Sequence, residues 1–308
     1  MTLRIVAGTA NAAMAVAVAA GLGSEPSPTE LERFPDGEVR PIVGRLRGDD
    51  VYVIQPTSPP VNDHLMELLL LLDACRRAGA LRVTAVVPYF GYARQDRRSR
   101  SGEAVGARVA LDMVAFMGAH RLVVVDPHAS GFEAMCSIPV ETVTGSSVLA
   151  AAVGPSLHDR VVVAPDLGAV KLAERVATQL RLPVAMVRKM RLSGSTVRAD
   201  DLVGDVEGCE AIIVDDMIAT GSTIAAAAGL VTARGALAHP IVVATHGLFV
   251  GSAVDRLGRL ALARLLVTDT VAPPGPSATE VCSIAPLLVD VIARLHREES
   301  LDDLSLFE

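Results

Sequence analysis

Tryptophan is absent, and three tyrosines and six phenylalanines are only 3% of the 308 residues. The flat aromatic platforms on which single-stranded bases stack are therefore largely missing. Nor is there a surplus of positive charge: 28 Lys and Arg face 35 Asp and Glu, for a net charge of −7, and the basic residues cluster locally. Both absences argue against a nucleic-acid binder. Cysteine is scarce. Cys75, Cys136, Cys209 and Cys282 lie far apart with no C-x-x-C pair, which excludes a disulfide-dense secreted domain and predicts reduced, mostly buried thiols. Long apolar runs are missing too: Leu68–Leu72 is closed off by Glu67 and Asp73, and no stretch nears the roughly 20 residues of a membrane span. Arg4 followed by an Ala/Val-rich stretch to Gly21 has the composition of a signal peptide. Leu3–Ala7 reads better as a strand, however, and Asn11 onward as a helix ended by Gly21 and Gly23. A soluble, cytoplasmic protein is expected, bound to neither membrane nor nucleic acid.

What is present is apolar material, 51% of the chain, enough for more than one core at this length, so two α/β domains are expected. Strand-type runs recur at Val51–Ile54, Val83–Val87, Leu122–Val125, Val161–Ala164, Ala211–Val214, Ile241–Ala244 and Leu265–Val267, alternating with helix-length segments. One helix follows Asn62 and Asp63, with Leu65, Leu68, Leu69 and Leu72 at helical spacing. Continuous apolar strands alternating with helices imply parallel sheets covered on both faces. Ligands of such sheets gather beyond the C-terminal strand ends. The segments there are Pro88–Arg100, Asp126–His128, Asp166–Ala169 and Asp215–Thr223. Gly145, Gly154 and Pro155 predict a boundary near residue 145; residues 271–278 read as an exposed loop, and a last helix runs from Ile284 to about Arg297.

The most specific segment is Val214-Asp215-Asp216-Met217-Ile218-Ala219-Thr220-Gly221-Ser222-Thr223. Free N–H groups at a helix start, with hydroxyls from Thr220, Ser222 and Thr223, suit an anion such as a sugar phosphate. The paired carboxylates are placed to accept hydrogen bonds from ribose hydroxyls. Simple capping by Ser and Thr is the plainer alternative, but it needs no two adjacent Asp at a buried strand end. The segment resembles the phosphoribosyl-binding motif of type I phosphoribosyltransferases.

Pro88-Tyr89-Phe90-Gly91-Tyr92-Ala93-Arg94-Gln95-Asp96-Arg97-Arg98 opens a stretch with four arginines between Arg94 and Arg100. These would repel one another in a plain turn and suit a polyphosphate. Together with Phe34-Pro35-Asp36-Gly37-Glu38 and the string from Gln55 to Leu68, this block resembles the ribose-phosphate diphosphokinase (phosphoribosyl diphosphate synthetase) family over nearly the whole chain. The resemblance implies a transfer of the β,γ-diphosphate of ATP to the anomeric hydroxyl of ribose 5-phosphate. It implies two phosphoribosyltransferase-like domains, residues 1–144 binding ATP and residues 145–295 binding ribose 5-phosphate. Each is a mostly parallel sheet flanked by helices, and a tail at about 296–308 packs back on the first.

By resemblance, ATP is held by Phe34, Asp36, Gly37 and Glu38 of one subunit and Arg94, Gln95 and Asp96 of another, in dimers that assemble into a homohexamer. Mg²⁺ is held by His128 and Asp166 with Asp126 close by. Lys189 and Arg191 are catalytic, Arg191 also meeting ribose 5-phosphate, before a Ser193-Gly194-Ser195 stretch expected to close over the site. Asp215, Asp216, Ala219, Thr220, Gly221, Ser222 and Thr223 take ribose 5-phosphate. Departures are present. Ala219 stands where many relatives carry Asp, Ala169 stands where a second Gly is frequent and is expected to crowd the diphosphate, and Ser137 and Glu141 replace two aspartates. Gly102 or Glu103 stands where ADP-regulated relatives have an arginine. That string and Asp126-Pro127-His128 are similar to archaeal-type members, so weak allosteric inhibition by ADP is expected.

Overall fold

The apolar runs form two sheets, one in each of two units of the computed structural model. The first unit comprises Met1–Thr144, Thr270–Ala272 and Ile284–Glu308, and the second Gly145–Asp269 and Pro273–Ser283. The structure describes residues 1–129, 131–193, 196–272 and 275–305, and the side chains of residues 189–200 lie outside that description.

The first unit begins with β1 (Leu3–Ala7) and α1 (Ala12–Gly21), the helix capped by the Asn11 side chain accepting from the Met14 N–H at 3.2 Å. A hairpin of β2 (Thr29–Arg33) and β3 (Val39–Val43) follows, then β4 (Asp50–Ile54), α2 (Val61–Arg77), β5 (Arg82–Val87), α3 (Gly106–Phe116), β6 (Arg121–Val125) and β7 (Val140–Val143). Five strands pair in the order β1-β4-β5-β6-β7, all parallel. Successive side chains of a strand alternate between faces. Val51 and Val53, Val83 and Ala85, and Leu122 and Val124 thus share one core with Leu68, Leu69 and Leu72 of α2 and Leu111 and Val114 of α3. The stripe expected on α2 is the buried one, with Leu65 half-buried at its edge.

The second unit contains α4 (Ser146–Val153), β8 (Arg160–Ala164), α5 (Val170–Leu180), β9 (Val184–Ser193), β10 (Thr196–Val203), β11 (Glu210–Ile218), α6 (Ser222–Ala233), β12 (Ile241–Gly247), α7 (Ala253–Gly258), β13 (Arg264–Thr268) and β14 (Thr279–Cys282). Its sheet runs β10-β9-β8-β11-β12-β13-β14, parallel apart from the β10–β9 edge pair. Val161, Val163, Ala211, Ile213, Val242 and Ala244 pack with α6 and α7. The intervening Val162, Ala164, Ile212, Val214, Ile241 and Val243 pack with α4 and α5. Covered faces explain why these strands read as unbroken apolar runs.

Helix α8 (Ala285–Arg297) belongs to the first unit. The chain returns to that unit at Thr270–Ala272 and again from Ile284 onward, whereas the tail is expected at about 296–308. Two further expectations are corrected. Only Cys75 is buried, the other three thiols being half-buried and all four free. Val271, placed in an exposed loop by its Pro- and Gly-rich surroundings, is buried at 6% exposure. Among the described residues no helix is long and apolar enough to cross a membrane.

Candidate active site

Strand β11 continues through both carboxylates to Ile218, so Asp215 and Asp216 lie within the strand and not beyond it as their polarity suggested. Hydrogen bonding to β12 carries the strand on, with Asp215 level with Ala244 and Met217 with His246. The turn that follows is pinned from its carbonyls. Ile218 O accepts from the N–H of Leu248 and of Phe249 at 3.0 Å, Ala219 O accepts from Val250 N–H at 2.9 Å, and Thr220 O accepts from the Arg256 guanidinium. Gly221 takes φ +72°, and a Cβ there would stand 3.2 Å from Leu257, so glycine is the residue that fits. Gly221 also begins α6, where no side chain caps the helix: the Thr220 and Ser222 hydroxyls bond each other at 3.1 Å. The capping alternative is thereby removed, and the helix start keeps its character as an anion site.

Burial first, then the charge and hydrogen bonding of Asp216 and the charge of Asp166, push the Asp215 carboxyl well above the usual range, against a weaker lowering by the Asp216 N–H. That backbone bond is 2.9 Å long. Asp166, two residues past β8, comes near because β8 and β11 are neighbours. Its Oδ1 accepts from Gly168 N–H at 2.9 Å and Ala169 N–H at 3.3 Å. The neighbouring charges of Asp216 and Asp166 thus disfavour a third bare charge on Asp215. Ala169 is 2% exposed and part of the core with Leu149 and Leu172. Its methyl group belongs to that core.

In the first unit, Phe34, Asp36, Gly37 and Glu38 form the turn of the β2–β3 hairpin. Phe34 N–H donates to Glu38 O at 2.8 Å, Gly37 N–H to Phe34 O at 2.9 Å and Glu38 N–H to Asp36 Oδ1 at 3.1 Å. The Arg40 guanidinium lies over the Phe34 ring at 5.2 Å from its centroid, a cation–π contact. Apart from half-buried Phe34, the turn is exposed.

The Arg94 turn is built on β4 and β5. Thr57 N–H donates to Tyr89 O at 2.8 Å, Gly91 N–H donates to Thr57 Oγ1 at 2.6 Å, and Gln95 N–H donates to Tyr92 O at 2.8 Å. Asp96 lies 3.8 Å from Arg97, while among the described residues no carboxylate pairs with Arg94, Arg98 or Arg100. A Cβ on Gly91 would stand 2.7 Å from Thr57 O and 2.6 Å from Val61 Cγ1. Gly91→Ala is therefore expected to cost about 1–3 kcal/mol through overpacking, read as a lower urea midpoint, and an unchanged midpoint would show that the end of β4 yields. No hydrogen bond or ion pair among the described residues joins the hairpin tip to this turn.

Asp126 is buried, adopts φ +37° and donates its N–H to Val143 O at 3.0 Å, whereas His128 is exposed. Lys189 and Arg191 belong to β9, level with Asp200 and Val197 of β10. Their side chains, and residues 194 and 195 of the expected closing loop, lie outside the described residues. Among the described residues no group of three or more His, Cys, Asp or Glu is arranged to hold a metal alone. One residue escaped sequence reasoning: Arg256, whose link to Thr220 O is purely tertiary. Glu103, read from the sequence only as standing in an arginine's place, accepts from Ser99 and Arg100.

Residues 3–118 match the family described as the N-terminal domain of ribose phosphate pyrophosphokinase, and residues 196–307 the phosphoribosyl synthetase-associated domain. A ribose-phosphate pyrophosphokinase of a Nostoc species is 41% identical, over 98% of this chain and 93% of its own. That of Aquifex aeolicus is 39% identical over 98% of each. The crystal structure of phosphoribosylpyrophosphate synthetase from Mycobacterium smegmatis superposes with a TM-score of 0.90 at 34% identity, covering 97% of this chain and all of that one.

Proposed function

The chain belongs to the ribose-phosphate pyrophosphokinase family, and we infer that it moves the β,γ-diphosphate of ATP to the anomeric hydroxyl of ribose 5-phosphate. The products are 5-phosphoribosyl 1-diphosphate and AMP, made in the cytoplasm for nucleotide biosynthesis. The uncapped start of α6 beside Asp215 and Asp216 carries this reading. Amides of residues 220–223 and the Thr220, Ser222 and Thr223 hydroxyls take the 5-phosphate, and the carboxylates take ribose hydroxyls.

ATP is assigned to Phe34, Asp36, Gly37 and Glu38 of one subunit with Arg94, Gln95 and Asp96 of another, in a homo-oligomer of dimers assembled into a hexamer. The anomeric oxygen attacks the β-phosphorus in line, and Arg94, Lys189 and Arg191 offset charge gathering on the transferred group, as phosphoryl transfer requires. Mg²⁺ suits the oxygen-rich donors, being a hard cation that draws most of its ligands from phosphates and water. Asp166, Asp126 and His128 are its proposed protein ligands. Bound, it neutralises diphosphate oxygens.

With ATP, ribose 5-phosphate and Mg²⁺ the protein is expected to release AMP, and to stop when either ribose 5-phosphate or Mg²⁺ is withheld. A salvage phosphoribosyltransferase would form no AMP from ATP, and neither would a non-catalytic homologue. Absence of AMP at saturating substrates overturns the reading.

A further inference from the structure

Between Asp96 and Gly106 the chain makes an excursion that carries Arg97, Arg98 and Arg100, close in sequence to Arg94. Repulsion among four cations favours open conformations of such a loop. One carboxylate is drawn into it. Glu103 accepts from Ser99 N–H at 2.6 Å, from the Ser99 hydroxyl at 2.8 Å and from Arg100 N–H at 2.9 Å. Successive backbone N–H groups aimed at one anion form a nest, a concavity that in many proteins receives phosphate. Here the chain's own carboxylate fills it. These donors, the Ser99 hydroxyl foremost, hold the Glu103 carboxyl below its usual range, and Gly102 at φ +82° turns the chain so that Glu103 reaches back. The base of the excursion is tied as well: Ala107 N–H donates to Gln95 O at 3.2 Å, and a Cβ on Gly106 would stand 2.6 Å from Gln95 Oε1. The excursion and the Arg94-Gln95-Asp96 turn are thus one continuous folded piece.

We propose that Glu103 is a positioning residue for ATP: by filling the Ser99–Arg100 nest it folds the arginine loop before nucleotide arrives and keeps Arg94, Gln95 and Asp96 set for the phosphates. The proposal rests on the assignment of those three residues to ATP. Without the internal anion, the loop is ordered only when ATP supplies one, and the apparent affinity falls by the fraction of molecules already folded there. At saturating ATP the loop is ordered again, so turnover is untouched.

The experiment is steady-state kinetics of the full-length Glu103→Ala, Glu103→Gln and Arg94→Ala proteins, with ATP and ribose 5-phosphate varied separately, alongside trypsin cleavage without ligands. Glu103→Ala is expected to raise the KM for ATP on the order of tenfold, the loss set by a loop folded about one-tenth of the time. Its kcat and its KM for ribose 5-phosphate should stay within about twofold, well below that loss. Trypsin should cut after Arg97, Arg98 and Arg100 faster than in the parent, and added formate should slow it. Glu103→Gln, which keeps an acceptor oxygen, should fall between the two. A normal KM for ATP in Glu103→Ala alongside a raised one in Arg94→Ala overturns the proposal, as does an equal rise for both substrates or a fall in kcat alone. A normal KM for ATP in both variants instead removes the ATP assignment beneath it.

Discussion

Asp50→Ala is expected to lower the stability of the first unit by about 3–5 kcal/mol, the loss typical of removing one partner from a buried charge pair. Asp50 is fully buried at the start of β4 and accepts from four groups: Arg82 Nε at 2.7 Å and Nη2 at 2.6 Å, His296 Nδ1 at 2.7 Å and Tyr52 OH at 3.2 Å. Burial pulls its pKa upward, but the hydrogen bonds from Arg82 and His296 and the charge of Arg82 outweigh burial and hold the carboxyl below the usual range. Truncation leaves the half-buried Arg82 guanidinium without its carboxylate partner and frees His296 on α8. A carboxylate with a depressed folded pKa contributes stability above its unfolded pKa and loses it as pH falls through the folded value. The gap between parent and variant should therefore be full at pH 7 and close below about pH 4. Urea midpoints at both pH values test this; a loss under about 1 kcal/mol at pH 7, the level of a surface pair, would show that water replaces the carboxylate.

Asp215→Asn should do the reverse, stabilising the empty protein while crippling it. Asp215 is buried beside Asp216 and within the field of Asp166, with its pKa raised. A raised carboxyl pKa costs nothing below the unfolded pKa of about 4, where both states are protonated, and costs progressively more as pH rises through the folded value. The neutral amide should thus gain about 1–2 kcal/mol at pH 8, in line with relief of active-site strain, and nothing at pH 4. The KM for ribose 5-phosphate should rise roughly 10–100-fold, the worth of a lost charge-assisted hydrogen bond, while that for ATP stays near the parent's. Melting without substrate or metal at both pH values, with kinetics alongside, decides it. Equal loss for both substrates, or a stability change independent of pH, would count against the assignment.

What the sequence made legible follows from locality. Val161–Ala164 and Ile241–Ala244 read as strands because both faces of their sheet are covered. Thr29–Arg33 and Val39–Val43 do not, because their residues alternate between half-buried and exposed, carry charge and include Pro41. The Asp215–Thr223 segment was readable because its donors and acceptors are close neighbours in sequence. The approach of Asp166 to Asp215 depends on β8 lying beside β11, and the inward methyl of Ala169 depends on α4 and α5 closing over it. No spacing rule contains either fact. The half-exposure of Cys136, Cys209 and Cys282 likewise reflects where each loop and edge strand ends in the fold.

The first unit is discontinuous: helix α8 belongs to it, and Ser305 bridges Val143 while Thr144 N–H donates to Leu304 O at 3.2 Å. Synthesis runs from the N-terminus, so these contacts become available only after the second unit's strands have been made. A nascent chain completes the second unit's strands while the first still lacks the helix that bonds to Asp50. The usual order of domain-by-domain folding is therefore inverted: the first strands to be made wait for residues 284–305, which follow every strand of the second unit.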